Sequence, residues 1–304
     1  MTYSELLREL LGNVDKYPDD FAETMNKVQD RFFREVIPLL DGLKTGEGGA
    51  ILATAENYAL SQQAVEQVEV ILAESGYTKA LQTFATGINE QRIVTDSLYR
   101  IFLDDAKADF AEFNAMFTNS RRNALTLMGE GAVGNFRVQF SNAINTAISS
   151  SSTYTDVIKN IRLLSVGDDQ VDGVLERYAK QNAKDAFSVT NRSYMEQINR
   201  RYGIVFFRYA GANMDTTREF CLKHAGKVYH QNEIKSWAGQ SWAGKNAATN
   251  EATIFALLGG YNCNHVLEPV PYDRVPEDVM RKAINKGWVK VEDLPKRIRD
   301  KFTS

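Results

Sequence analysis

The sequence predicts a mainly α-helical first region, residues 1–202, followed by an α+β region, residues 203–304, in which long helices give way to a small mixed sheet. Three observations predict it. Apolar residues recur at helical spacing almost continuously to residue 202. Only Pro18 and Pro38 precede residue 269, so little interrupts those helices. At Gly203 the period breaks, and Ile204-Val205-Phe206-Phe207-Arg208-Tyr209 is a short branched and aromatic run closed by Gly211, the pattern of a buried strand.

Thr2 and Glu5 have the spacing of a capping box, and Leu6, Leu7, Leu10 and Leu11 then repeat as one face of a short first helix. Phe33, Val36, Ile37 and Leu40 form a second stripe before Asp41-Gly42, and Tyr58, Val65, Val68 and Leu72 a third before Ser75-Gly76. Helical stretches follow at about 78–128, 135–147 and 168–202. The Ile-Ser-Ser-Ser-Ser-Thr run at 148–153 reads as a loop or hinge, with Thr153 and Asp156 placed to cap the next helix. Beyond Gly203, residues 227–229 and 266–270 read as further short strands, and Pro276 opens a terminal helix.

Composition bounds the function. At 304 residues the chain can bury the cores of two domains. Its start has neither a basic segment nor an apolar core of the signal-peptide kind, and no run of about twenty apolar residues occurs, so neither a cleaved signal nor a membrane span is expected. The net charge of −3 is unevenly spread: residues 1–150 carry 13 Lys/Arg against 21 Asp/Glu, and residues 151–304 carry 23 against 18. That asymmetry reads either as two surfaces with different partners or as two ordinary solvated faces.

Gly129-Glu130-Gly131-Ala132-Val133-Gly134 spells a dinucleotide-binding glycine pattern, but a helical stretch precedes it where that site needs a strand; a break between helices is the expectation. The acidic pairs Asp104-Asp105 and Asp168-Asp169 fall where helix caps and solvated faces belong. Both cysteines and all three histidines lie between residues 221 and 265. Cys221-x-x-His224 and Cys263-x-His265 offer four borderline-soft ligands: residues three apart share one side of a tight turn, and residues two apart share one face of a strand, so the four could surround one Zn²⁺, with His230 as a substitute. A Cys221–Cys263 disulfide and a purely structural core of small thiols and bonded imidazoles are the other readings. A nucleophilic centre of Cys221, with His224 or His265 as base and Asp215 or Glu219 orienting it, has the residue types but no diagnostic spacing. Near the end, Arg281, Lys282, Lys286, Lys290, Lys296, Arg297, Arg299 and Lys301 are diluted by Asp278, Glu292, Asp293 and Asp300, which favours a solvated face over nucleic-acid attachment.

Four stretches are similar to stretches that stand in the same order in one known family: the helix at 178–194 containing Thr190-Asn191-Arg192-Ser193-Tyr194, the strand from Gly203 to Tyr209, the run from Asp215 through Arg218, Cys221 and Gly226 to Lys227, and Gly259-Gly260-Tyr261-Asn262-Cys263-Asn264-His265 before Glu268-Pro269. From about Asp156 onward the chain resembles the phage Mu-type minor head protein family, whose carboxy-terminal domain also occurs in some bacterial toxin proteins. Asn264 stands where that family usually has arginine.

The resemblance implies a structural virion component present in several copies in the phage head and assembled in host cytoplasm. It would associate with the portal vertex, assist head assembly through portal or major capsid protein, and contact packaged DNA. The helical region 1–202 would dock on those subunits, and Asp215, Arg218, Cys221, Gly226, Gly260, Cys263 and His265 would define the carboxy-terminal module. Two alternatives remain open: a nuclease or toxin-like transferase reacting through Cys221, His224 and His265, and a DNA-packaging or ejection factor.

Overall fold

The computed structural model describes residues 1–103 and 108–303, and the Asp104-Asp105 pair lies outside them. Among the described residues eight α-helices come first: α1 (Tyr3–Leu40), α2 (Ala55–Glu66), α3 (Val68–Glu74), α4 (Tyr77–Leu103), α5 (Asn114–Thr126), α6 (Ala132–Ser149), α7 (Tyr154–Ser165) and α8 (Val174–Arg201). Then come β1 (Phe206–Ala210), α9 (Glu219–His224), β2 (Val228–His230), α10 (Gln231–Ser236), α11 (Ile254–Leu257), β3 (Val266–Pro269), α12 (Glu277–Asn285) and α13 (Lys296–Arg299). The expected order, long helices and then α+β, is the order found. Two compact units are assembled from non-contiguous segments: Met1–Asp15, Ile88–Arg121 and Phe187–Ser304 form one, and Lys16–Gly87 with Arg122–Ala186 form the other.

In the wholly helical unit, aromatic rings fill the core: Phe32 meets Phe136 edge-on at 4.8 Å and Phe140 at 5.6 Å. Its details correct several expectations. The stripes at 6–11 and 33–40 belong to one helix, α1, which contains both prolines. Pro18 forfeits one helical N–H, but the buried series Leu10, Val14, Phe21, Met25, Val28, Phe32, Val36 and Leu40 continues past it at intervals of three, four and seven, so burial outweighs the lost bond. On α2 the buried face is Asn57, Ser61 and Ala64, while Tyr58 is exposed. Asn57 is there because its amide bonds the backbone of Lys44 on both sides and the carbonyl of Leu52. The glycine pattern at 129–134 is not a break: Leu127–Gly131 form a π-helical turn that leads directly into α6. At Gly131 the Tyr178 hydroxyl would stand 2.8 Å from a Cβ, so a larger residue there would have to displace the end of that side chain. The loop after α6 ends as expected, with Thr153 accepting from the amide of Asp156 at 3.2 Å. Asp168 turns the chain before α8 by accepting from the amides of Gln170 and Val171.

The other unit holds all of residues 203–303. The expected capping box forms at its first helix, with the Thr2 amide 2.7 Å from Glu5 Oε2 and the Glu5 amide 3.3 Å from Thr2 Oγ1. Within it, segments of α1, α4 and α8 are joined by buried polar bonds: Gln91 to the Leu10 carbonyl, Thr95 to Asn191, and Tyr99 to Asn199. The small sheet has the order β2-β1-β3, and both pairings are antiparallel, so it is not mixed. No long crossover is needed between such neighbours. Side chains alternate across β1, which separates two environments. Phe206 joins Met280 and Ala283 of α12 and Val289, Leu294 and Ile298 in one apolar cluster. Tyr209, three residues on, points to the opposite face.

Candidate metal centre

Cys221, Cys263 and His265 come together on that face, each at most 3 % exposed, with their ligating atoms within 4.8 Å of one another. Each arrives on a different local device. Cys221 sits in the single turn and a half of α9, which Gly226 terminates at φ +76°; the Gly226 amide then donates to the Tyr209 carbonyl at 2.8 Å and returns the chain into β2. Cys263 follows a contorted segment with Leu258, Gly260 and Asn262 all at positive φ. Gly260 has no room for a side chain against the backbone of Gly244, and the Tyr261 amide donates to the Gly244 carbonyl at 3.0 Å. Arg218, from the start of α9, donates to the Tyr261 carbonyl, tying the two cysteine-bearing segments to each other. His265 leads into β3, with Nδ1 3.9 Å from Cys263 Sγ.

The Cys221 thiol is pushed up, first by its hydrogen bond to the Cys263 sulfur and then by burial; Cys263, the acceptor, is lowered by that bond, by His265 and by the Arg192 cation. Arg192 of α8, itself buried, donates through Nη1 to the carbonyls of Cys263 at 3.1 Å and His265 at 3.2 Å. Its Nε and Nη2 and the Nε2 of His265 have no hydrogen-bond partner. Tyr209 Oη lies 3.2 Å from Cys221 Sγ and 3.8 Å from Cys263 Sγ, and burial followed by the two sulfurs pushes its phenol up.

Two thiols and an imidazole, withdrawn from water, are a donor set that suits a borderline-soft dication such as Zn²⁺. Neighbouring vertices of a zinc tetrahedron are about 3.5–3.8 Å apart, so the three side chains need close by no more than about 1.3 Å to bind.

His224 is not one of them. Its Nδ1 pairs with the Tyr229 hydroxyl at 2.8 Å and its ring lies 4.1 Å from that of Trp237, inside an aromatic box completed by Phe220. Burial, with Lys223 and Lys227 adding, lowers its pKa to about 4. His230 is also elsewhere: Nδ1 accepts the Asn232 amide, capping α10, and the ring stacks on Trp288. Asp215 and Glu219 are exposed, and the hydrogen-bond partner of His224 Nδ1 is a phenol rather than a carboxylate. Of the basic residues near the end, Arg281 pairs with Glu277, Lys282 with Glu233 and Arg297 with Asp273.

Sequence reasoning placed Arg192, Tyr209 and Gly259 in stretches that carry the family resemblance but gave none of them a part in the site. Arg192 lay on a stretch read only as helix, and Tyr209 inside a run read as a buried strand. Gly259 shows its purpose only in three dimensions, because a Cβ there would stand 2.6 Å from Cys221 Sγ and 2.8 Å from Cys263 Sγ. Comparison of the chain with protein-family profiles, with curated proteins and with solved structures finds no match. No helix among the described residues is long and apolar enough to cross a membrane.

Proposed function

We propose that this chain is a minor head protein of the phage Mu type, a structural component that joins the portal vertex during head assembly, and that Cys221, Cys263 and His265 hold one zinc ion that stabilises its carboxy-terminal module. One observation carries the reading. The four stretches on which the family resemblance rests, spread from Thr190 to His265, meet at one place: Arg192 bonds the Cys263 and His265 carbonyls, Tyr209 touches both sulfurs, and Arg218 holds the loop before Cys263.

Co-expression with the neighbouring portal and major capsid proteins tests the reading. The expected result is co-migration with the portal assembly in size-exclusion chromatography and incorporation into heads. Absence from both, with turnover of nucleic acid or nicotinamide dinucleotide that a folded His265→Ala variant loses, would replace it with the enzymatic alternative. Salt-sensitive DNA binding without portal association would favour a packaging or ejection factor.

A further inference from the structure

Three protein ligands leave one vertex of a tetrahedron to be supplied, and His224 is turned away toward Tyr229. Bonds of about 2.3 Å to sulfur and about 2.0–2.2 Å to oxygen place neighbouring sulfur and oxygen vertices of a zinc tetrahedron about 3.5 Å apart. The Tyr209 hydroxyl stands 3.2 Å from Cys221 Sγ and 3.8 Å from Cys263 Sγ, on either side of that value. Its ring lies against the third ligand, with centroids 4.8 Å apart. The phenol is held in place by its strand: the Tyr209 amide donates to the Lys227 carbonyl at 3.0 Å, and the side chain is wholly buried. Gly259 adds an independent mark. A Cβ there would be 2.6, 2.8 and 3.0 Å from Cys221 Sγ, Cys263 Sγ and Tyr209 Oη, so these three atoms form one face and the glycine keeps that face clear.

We propose that Tyr209 is the fourth ligand, binding as a tyrosinate and closing a centre of two cysteines, one histidine and one tyrosine. This rests on the metal reading above. On binding, the phenol and any thiol still protonated release their protons to solvent, the metal accepts their lone pairs, and no group is oxidised or reduced. A four-coordinate shell of protein atoms leaves no position for water or substrate, which makes the centre structural rather than catalytic. In the competing arrangement the hydroxyl keeps its proton and donates it to a zinc-bound sulfur.

Titration of the full chain with zinc chloride at neutral pH separates the two, following the ultraviolet difference band of tyrosinate, the protons released and the zinc bound. The wild-type chain is expected to bind one zinc and develop the band. Tyr209→Phe is expected to bind zinc at least about tenfold more weakly, without the band and with one proton fewer released. Tyr229→Phe, a change outside the ligand set, keeps the band, so the signal is assigned among the 13 tyrosines of the chain. Zinc bound by wild-type protein with no band overturns the tyrosinate while leaving the metal site standing, and that result does not depend on any variant folding. Wild-type protein that binds no zinc overturns both.

Discussion

Arg192 donates to the backbone carbonyl of Cys263, 71 residues further along the chain, at 3.1 Å. The same nitrogen reaches the His265 carbonyl at 3.2 Å, so one guanidinium on α8 fixes the backbone on both sides of Asn264. Removing it strands two buried acceptors, at a cost that charge-assisted bonds of this kind place at about 2–4 kcal/mol. Arg192→Met, which keeps much of the volume, is expected to lower the urea midpoint by the corresponding amount with the slope unchanged. An unchanged midpoint would mean that the carbonyls find other donors.

Zinc is expected to raise the melting temperature and a strong chelator to lower it. A ligand that binds only the folded state, present at about 100 times its dissociation constant, adds about 2.7 kcal/mol. Cys221→Ser and Cys263→Ser should abolish the response in calorimetry. His224→Phe should preserve it, because His224 lies in the aromatic box rather than in the ligand group. A response lost in His224→Phe and kept in Cys221→Ser would reverse the assignment.

Acid should destabilise the metal-free chain through its buried imidazoles. Burial lowers both His224 and His230 to about 4, from an ordinary value of 6.5. The unfolded chain therefore takes up protons first as pH falls. Stability that is whole above about pH 6.5 is lost between there and pH 4, by at most roughly 1.4 kcal/mol per pH unit for each histidine. In chelator-treated protein, denaturant midpoints measured across that window should fall less steeply for His224→Phe than for the wild type. Parallel curves would place the acid sensitivity in other groups.

Gln29 serves α8 as a cap from a distant part of the chain. Its Oε1 accepts the amides of Leu175 at 2.7 Å and Glu176 at 3.1 Å, two of the donors that a helix leaves free in its first turn. Gln29→Leu should cost about 1–2 kcal/mol, visible as a lower thermal midpoint and as faster amide exchange at Leu175 and Glu176. Unaltered exchange at both amides would rule out the capping role.

Much of the candidate site was legible as composition: two cysteines and three histidines confined to 45 residues announce a place where soft ligands gather. Three of the four residues read as one ligand set, Cys221, Cys263 and His265, do gather; that His224 stands apart from them was not legible. Cys221 and His224 sit three apart on one short helix, yet the ring of His224 is taken by Trp237 and Tyr229, aromatic partners five or more residues away. Tyr209 looks in sequence like any strand tyrosine, and only its distance to two sulfurs marks it.

Local physics, written in the order of side chains, determined that helices precede an α+β region, the change of period at Gly203, the capping box at Thr2, the cap at Thr153 and a strand within the run from Ile204 to Tyr209, because each depends on neighbours within a few residues. Tertiary structure decided that Pro18 lies inside a helix, that the glycines at 129–131 continue one, and that Cys221, Cys263 and His265 meet while His224 and His230 do not. Those outcomes depend on which surfaces are buried against each other, and the free energy of burying a face exceeds the small local preferences that spacing records.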